Sequence, residues 1–190
     1  MSIAMEKHPH PNRITVDEYH RMAEVGLLAP DARVELIEGV IVEMPPVGFR
    51  HSLAVGRLLK RLMYAVGDQA TLWCQASIRL STYSEPQPDI ALLAPLEDLY
   101  AERHPTAEET LLAVEVSDTS LRYDLNTKAA LYAEHGIQEL WVVDVVALRM
   151  HVFRHPSDGR YREAFTPESS DRVDIKALPG IAIDLSQILR

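Results

Sequence analysis

The sequence has little of what a secreted, membrane-spanning or disulfide-bonded protein requires. No apolar run approaches the roughly 20 residues that cross a bilayer, and the first residues lack the basic-then-apolar order of a signal peptide. The single cysteine, Cys74, cannot form an internal disulfide and is most simply a core residue, which fits a reducing compartment. We therefore expect a soluble, cytoplasmic protein with no membrane partner.

Positive charge is also scarce. The chain has 19 Lys and Arg residues against 28 Asp and Glu residues, which gives a formal net charge of −9 at pH 7. Non-specific affinity for nucleic acid depends on Lys and Arg neutralising phosphates, so this balance argues against a simple nucleic-acid-binding protein. It does not exclude an enzyme that gathers acidic residues around divalent metal ions.

The apolar content is sufficient for one well-packed core. With 190 residues, of which 47% are hydrophobic, the chain has the size of one ordinary domain. We interpret residues 14–190 as this domain and residues 1–13, which contain two His-Pro pairs, as a flexible N-terminal tail. His8 and His10 in the tail make no closed metal site.

The periodicity of apolar residues predicts both helices and strands. A capping-box pattern at Thr15 and Glu18 begins a short helix that runs to about Val25. A β-hairpin is expected over residues 33–44, and an amphipathic helix from about Arg50 to Val66. The other predicted strands cover residues 70–80, 88–93, 111–116, 139–144, 148–154, 161–165, 173–175 and 181–183.

Two of the apolar strands contain an acidic residue that needs a physical explanation. Removing an unpaired carboxylate from water costs several kcal/mol, so Asp89 and Glu115 must be protonated, paired with a cation or bound to a metal. In the helix after Glu115, Asp124, Lys128 and Tyr132 recur every fourth residue and share one face. This spacing places Lys128 near the sheet and suggests that the acids and the lysine form one site.

The order of these motifs resembles the Uma-two family of putative restriction endonucleases, in the PD-(D/E)XK nuclease superfamily. The resemblance covers the chain from about Thr15 onward. It rests on Glu35-Leu36-Ile37-Glu38-Gly39, His51, Pro88-Asp89, Glu115-Val116-Ser117, Asp124-x-x-x-Lys128-x-x-x-Tyr132-x-x-x-Gly136 and Glu139-Leu140-Trp141-Val142-Val143-Asp144. The superfamily pattern has Lys two residues after the strand acid, where this chain has Ser117; in the Uma-two pattern the following helix supplies it, at Lys128. The implied fold class is α/β and restriction-endonuclease-like, with a mixed central β-sheet flanked by helices and additional C-terminal strands.

The resemblance implies a divalent-metal-dependent endonuclease that hydrolyses phosphodiester bonds, with DNA as the expected substrate. Asp89 and Glu115 are the predicted ligands of Mg²⁺, which takes carboxylate oxygens, and Mn²⁺ is an alternative. The resemblance adds the backbone carbonyl of Val116 to this ligand set. We hypothesise that Lys128 stabilises the attacking hydroxide and the developing phosphoryl charge. Glu35 is a candidate on the basis of the resemblance alone. It would bind a second metal ion or hold a water molecule bound to the metal.

Several other residues receive supporting roles. His51 matches the histidine of the family and could orient a carboxylate or substrate, although a surface histidine that opens a helix fits equally well. We predict that Asp124 does not bind the metal itself but orients Lys128. Tyr132 and Trp141 are predicted to belong to the core. The candidates for phosphate contact are the exposed basic residues of the helix over 50–66, namely Arg57, Lys60 and Arg61. The resemblance and the need to hold both DNA strands favour a homodimer.

Each candidate residue also has a simpler interpretation. Lys128 could form a surface ion pair with Asp124, Asp89 could form a turn beside Pro88, and Glu35 could lie on a solvated strand face. These interpretations do not explain why the motifs occur in this order. Two other functions remain open, namely a non-catalytic interaction or DNA-associated regulatory module with the same fold, and a metal-dependent hydrolase of another phosphate ester.

Overall fold

The computed structural model describes residues 12–189. Residues 1–11 of the predicted tail, which include His8 and His10, therefore lie outside the described residues. Arg13, at the end of that range, is bound to the domain, since its guanidinium lies 2.6 Å from the Glu38 carboxylate. Within residues 12–189, no helix combines the length and the apolar character that crossing a membrane requires.

The described chain contains one long helix, three shorter ones and ten strands. The helices are α1 (Val16–Glu24), α2 (Phe49–Val66), α3 (Leu121–Tyr123) and α4 (Ala129–Glu134), and a π-helical turn (Asp124–Lys128) joins the last two. The strands are β1 (Val34–Ile37), β2 (Val40–Glu43), β3 (Thr71–Cys74), β4 (Ile90–Leu93), β5 (Thr110–Ser117), β6 (Glu139–Asp144), β7 (Arg149–Ser157), β8 (Arg160–Phe165), β9 (Arg172–Asp174) and β10 (Ala182–Asp184). The capping box at Thr15 and Glu18 is present at the start of α1, as predicted.

The centre of the fold is a mixed six-stranded sheet in the order β3-β4-β5-β6-β7-β8. Strands β5 and β6 pair in parallel, and all other neighbours in this sheet are antiparallel. Parallel neighbours require a crossover connection, and residues 121–134 supply it as a helical segment. The expected fold class, a mixed central sheet with helices and additional C-terminal strands, is confirmed. The additional strands are β7 and β8, which extend the sheet, and β9 and β10, which form a separate antiparallel pair.

Both faces of β5 are covered, and they are covered by different elements. Leu112, Val114 and Val116 belong to the cluster that contains the buried side of α2, whereas Ala113 packs with α4 residues including Tyr132. Side chains alternate along a strand, so Glu115 points to the same side as Ala113. This alternation directs the acid towards the helical crossover, where Lys128 lies.

The hairpin of β1 and β2 holds Glu35 against the sheet. Its turn residues Glu38 and Gly39 both have positive φ, 52° and 79°, as a tight hairpin turn requires. A Cβ atom at Gly39 would also clash with Arg13. Leu36 forms an isolated β-bridge with Glu85, which joins the hairpin to the chain that precedes β4. The hairpin predicted over residues 33–44 is therefore confirmed.

Two expectations about the third strand are wrong. The strand predicted over residues 70–80 ends at Cys74, because Gln75 adopts a left-handed φ of 47° that interrupts the extended backbone. Cys74 is exposed rather than part of the core. It lies at the end of an edge strand, where one side of the sheet has no neighbouring strand to cover it.

Candidate active site

A cleft with a volume of about 430 Å³ opens where the hairpin, α2 and the end of β5 meet. Its walls come from the hairpin, the start of α2, the chain before β4 and the loop after β5. The lining residues are Arg33, Glu35, 44–48, His51, Gln75, Gln87, Asp89, Glu115, Val116, 118–120 and Asp124. The cleft therefore contains most of the residues that the sequence predicted as a site.

Asp89 and Glu115 converge on this cleft because of the register of their strands. Ile90 pairs with Val114 in the antiparallel ladder, so extending it by one residue sets Asp89 opposite Glu115. The Asp89 Oδ2 atom accepts a hydrogen bond from the Val116 N–H at 2.8 Å. Asp89 lies just before β4 rather than within it, and its side chain is 14% exposed. The role of the Val116 carbonyl stays a prediction.

His51 lies beside Asp89 rather than at a free helix end. Its Nε2 atom is 2.9 Å from the Asp89 Oδ1 atom, so both carboxylate oxygens of Asp89 have a partner. The Nδ1 atom of His51 is buried and has no hydrogen-bond partner among the described residues. Because His51 fixes the orientation of the Asp89 carboxylate, this contact supports the predicted orienting role.

Lys128 is completely buried between two carboxylates. Its Nζ atom donates to Glu35 Oε1 at 2.9 Å and to Glu115 Oε1 at 3.0 Å, and 1% of its side chain is exposed. The interpretation of Lys128 as a surface partner of Asp124 is therefore wrong. So is the interpretation of Glu35 as a solvated strand residue, since Glu35 is 2% exposed.

Tyr132 is a member of the site that the sequence interpretation assigned to the core alone. It is fully buried, as predicted, but its hydroxyl donates a 2.6 Å hydrogen bond to Glu115 Oε1. Burial raises the pKa of Tyr132 well above its ordinary value, so the hydroxyl keeps its proton and remains a donor. The four-residue spacing from Lys128 could have identified it, because both side chains reach the same acid.

The balance of charge in this network depends on the ammonium of Lys128. Burial by itself would lower the pKa of Lys128, but the charges of Glu115 and Glu35 and their hydrogen bonds raise it above its ordinary value. Burial raises the pKa of Glu115 to about 8, although the Lys128 charge opposes this shift. One ammonium thus faces two buried carboxylates, and it cannot compensate both.

One carboxylate oxygen in the cleft has no partner. Glu35 Oε1 accepts from Lys128 and from the Gln87 N–H, whereas Glu35 Oε2 is buried and accepts no hydrogen bond from the part of the chain that the structure describes. An unsatisfied buried acceptor costs about 1–3 kcal/mol, more when it is charged. A cation at this position would compensate it. Carboxylate oxygens are the ligands that Mg²⁺ and Mn²⁺ prefer, so the chemistry of Glu35, Asp89 and Glu115 fits these ions. Their oxygens do not all lie within 4.8 Å of one another in the described part of the chain, so binding one ion would draw the side chains closer together.

The prediction that Asp124 orients Lys128 is wrong. Among the described contacts, Asp124 Oδ2 accepts hydrogen bonds from Ser117 Oγ at 2.7 Å and Ser120 Oγ at 2.6 Å, and none from Lys128. The π-helical turn between Asp124 and Lys128 is the physical reason. Its wider turn means that residues four apart no longer lie directly above one another, as they do in an α-helix. Asp124 instead fixes the loop that follows β5.

The basic residues chosen as phosphate contacts lie away from this cleft. Arg57 and Arg61 line two other cavities, and Lys60 is exposed on α2. Among the described residues that line the cleft, Arg33 is the only arginine or lysine. Arg33 stands two residues before Glu35 and therefore on the same side of the hairpin strand. That alternation was the signal that could have identified it.

Removing the Tyr132 hydroxyl should measure what this buried donor contributes. We expect Tyr132→Phe to lower the free energy of unfolding by about 1–3 kcal/mol, because a buried hydrogen bond to Glu115 is lost without creating a cavity. Urea denaturation measures the change, and Tyr64→Phe is the control because Tyr64 is 75% exposed. Equal stability of the two variants would show that the hydroxyl does not hold Glu115.

Comparison with known proteins places the chain in a family. None of the curated proteins that were compared matches it. The crystal structure of a putative nuclease belonging to DUF820 from Anabaena variabilis has 17% sequence identity and a TM-score of 0.73, and the match covers 93% of this chain and 97% of that chain. That likeness shows a common fold. The model of the Uma2 family, described as putative restriction endonuclease, matches residues 16–186. The chain therefore belongs to the Uma2 family of putative restriction endonucleases.

Proposed function

We propose that the protein is a divalent-metal-dependent endonuclease that hydrolyses phosphodiester bonds in DNA. The observation that supports this most strongly is the convergence of three acidic side chains on one cleft, one of them with an unpaired buried oxygen. The ion pairs of Lys128 account for Glu35 and Glu115, whereas Asp89 contacts His51 instead, so these ion pairs alone do not explain why all three acids line one cleft. Membership of the Uma2 family supports the same reaction class.

The proposed cofactor is Mg²⁺, with Mn²⁺ as an alternative. Asp89 and Glu115 would hold it, together with the Val116 carbonyl, and Glu35 would hold a second ion or a water. When bound, such an ion supplies positive charge at the phosphoryl oxygens and lowers the pKa of a water molecule. The residues fit this group because all their donor atoms are oxygens, which Mg²⁺ prefers.

The contacts of Lys128 favour a positioning role over direct contact with the attacking hydroxide. Its ammonium is occupied by Glu35 and Glu115, and it does not appear among the residues that line the cleft. We propose that it positions these two carboxyl groups and favours their charged forms against the effect of burial, and that direct contact with the attacking hydroxide requires a rearrangement. The residue would then act on the reaction through Glu115 and Glu35.

Binding of a phosphodiester in this cleft requires compensation of its acidic lining. The lining residues include Glu35, Asp89, Glu115, Asp118 and Asp124. Repulsion between these carboxylates and a phosphate makes binding dependent on a bound cation. Arg33 is exposed and donates a hydrogen bond to the Pro45 carbonyl at the edge of the cleft, which makes it the proposed first phosphate contact.

The homodimer also remains a proposal. It is supported by the exposed apolar side chains of α2, including Phe49, which is 82% exposed, Met63 and Tyr64. Association would remove such a surface from water. A dimer would also give the enzyme two clefts, one for each strand of a duplex.

Cleavage assays with defined substrates test the proposed reaction. Purified protein is incubated with supercoiled plasmid, with RNA and with nucleotide monoesters, each with Mg²⁺, with Mn²⁺ and with EDTA. We expect nicked or linear plasmid only when a divalent ion is present. Cleavage restricted to the monoesters would overturn the proposal in favour of another phosphate-ester hydrolase. Absence of both cleavage and metal binding would favour a non-catalytic module.

A further inference from the structure

A second cluster of metal-ligating side chains lies outside the cleft. It consists of His20 on α1, Glu85 in the chain before β4 and His104 in the loop between β4 and β5. One ligand atom from each residue lies within 4.8 Å of the others. None of the three residues lines the cleft that contains Asp89 and Glu115. The cluster brings together segments that are 84 residues apart in the sequence, from residue 20 to residue 104.

The carboxylate of Glu85 is the feature that requires explanation. Glu85 is 2% exposed, and its Oε1 atom lies 2.7 Å from His20 Nε2. Its Oε2 atom is buried and has no hydrogen-bond partner within residues 12–189. Burying a carboxylate oxygen without a partner is unfavourable, so the side chain has capacity for one more electropositive neighbour. His104 offers no direct bond to it, but its ring centroid lies 5.8 Å from that of His20.

We propose that His20, Glu85 and His104 form a transition-metal site, for which Zn²⁺ is the best-fitting ion. Two imidazole nitrogens and one carboxylate oxygen are a set of ligands that Zn²⁺ binds in proteins, with a fourth position left for water. Mg²⁺ and Ca²⁺ prefer sites made of oxygen atoms alone, so this cluster discriminates against the ion proposed for the cleft. Both histidines are partly exposed, which gives the ion a route to the site.

A metal at this site would brace the chain that builds the cleft. The Glu85 N–H donates to the Leu36 carbonyl at 2.7 Å, next to Glu35. Two residues later, the Gln87 N–H donates to Glu35 Oε1 at 3.2 Å, and Asp89 follows after two more residues. The ion would therefore tie α1 and the loop of His104 to the segment that supplies Asp89 and holds Glu35.

The loop of His104 is itself held in place, which favours a preformed site. Arg103 and Glu109 form a two-point ion pair, with Nη1 to Oε2 at 2.7 Å and Nη2 to Oε1 at 2.6 Å. The Glu109 Oε2 atom also accepts from the Thr106 N–H at 2.9 Å. These contacts close the loop around residues 103–109, so binding of a metal does not have to order it.

Measurement of bound zinc in the full chain tests this site. His8 and His10 are first replaced by Ala to remove adventitious binding by the N-terminal residues, and this protein serves as the reference. After dialysis against Zn²⁺ with Mg²⁺ in large excess to occupy the cleft, elemental analysis should find one equivalent of zinc in the reference protein and in the control variant His155→Ala. We expect that equivalent to be lost in His20→Ala and in His104→Ala.

Thermal unfolding with and without Zn²⁺ gives a second readout, which covers the case of a variant that folds poorly. Zinc at about 100 times its dissociation constant should raise the unfolding midpoint of the reference protein by about 5–10 °C. His104→Ala and Glu85→Gln should show no such shift. Equal zinc binding in the reference protein and His104→Ala, or none in the reference protein, would overturn the site. Neither result bears on cleavage, which Mg²⁺ or Mn²⁺ would support through other residues.

Discussion

Replacing Lys128 by Met should lower the free energy of unfolding by about 3–5 kcal/mol, the cost of removing one partner from a buried ion pair. The Lys128 ammonium is the cation that contacts both Glu35 and Glu115, and all three side chains are buried. Met has a similar length and fills most of the same volume, so the loss reflects charge rather than a cavity. Urea denaturation at pH 7 measures the effect.

Lys60→Met is the matched control for this experiment, since Lys60 is exposed on α2. It should change the stability by no more than about 0.5 kcal/mol. A compensating variant sharpens the test, because Glu35→Gln in the Lys128→Met background removes one of the two uncompensated carboxylates. That double variant should regain part of the lost stability. If Lys128→Met is as stable as Lys60→Met, the buried network does not depend on the lysine.

Neutralising either acid of the cleft should abolish metal-dependent cleavage while leaving the fold intact. We expect Asp89→Asn and Glu115→Gln each to reduce the cleavage rate by more than about 100-fold. Substituting a residue that only orients a metal ligand costs up to about 100-fold, so the loss of a ligand itself should exceed that value. Both substitutions keep the shape of the side chain and remove its charge. Plasmid cleavage in Mg²⁺ measures the rate, at a temperature well below the unfolding midpoint of each variant.

Glu139→Gln provides a control for the loss of any buried carboxylate. Glu139 is fully buried and accepts hydrogen bonds from Trp141, Arg154 and the Lys176 N–H, away from the cleft. This variant should lose stability yet cleave plasmid at the rate of the unmodified protein. If Asp89→Asn or Glu115→Gln also cleaves at that rate, the two acids do not form the catalytic site.

The sequence was informative wherever local periodicity determines the geometry. One acid in each of two apolar strands was sufficient to predict that Asp89 and Glu115 share a site, although the antiparallel register of β4 and β5 that sets them opposite each other is known only from the structure. Local periodicity also predicted the hairpin that carries Glu35. Its contact with Lys128, 93 residues away, has no local signal, and only the family resemblance suggested that Glu35 belongs to the site.

The incorrect predictions arose where the backbone departs from regular geometry or where distant segments meet. Asp124 was assigned to Lys128 by α-helical spacing, and a π-helical turn breaks that spacing. Amphipathicity predicted that Arg57, Lys60 and Arg61 are exposed, whereas only Lys60 is exposed and the two arginines are half-buried. It also gives no information about which way that helix faces relative to the cleft. Tyr132 satisfied the pattern of a core residue and is buried, and that pattern does not reveal its bond to Glu115.

The central claim is that Asp89 and Glu115 bind one divalent ion in the cleft. Crystals of the protein soaked in Mn²⁺ test it most directly, because the anomalous signal of manganese identifies the ion and its position. We predict an anomalous peak within bonding distance of a carboxylate oxygen from each residue, and its loss in crystals of Asp89→Asn. If crystals soaked at a saturating Mn²⁺ concentration show no anomalous peak between these two side chains, the result would contradict the account.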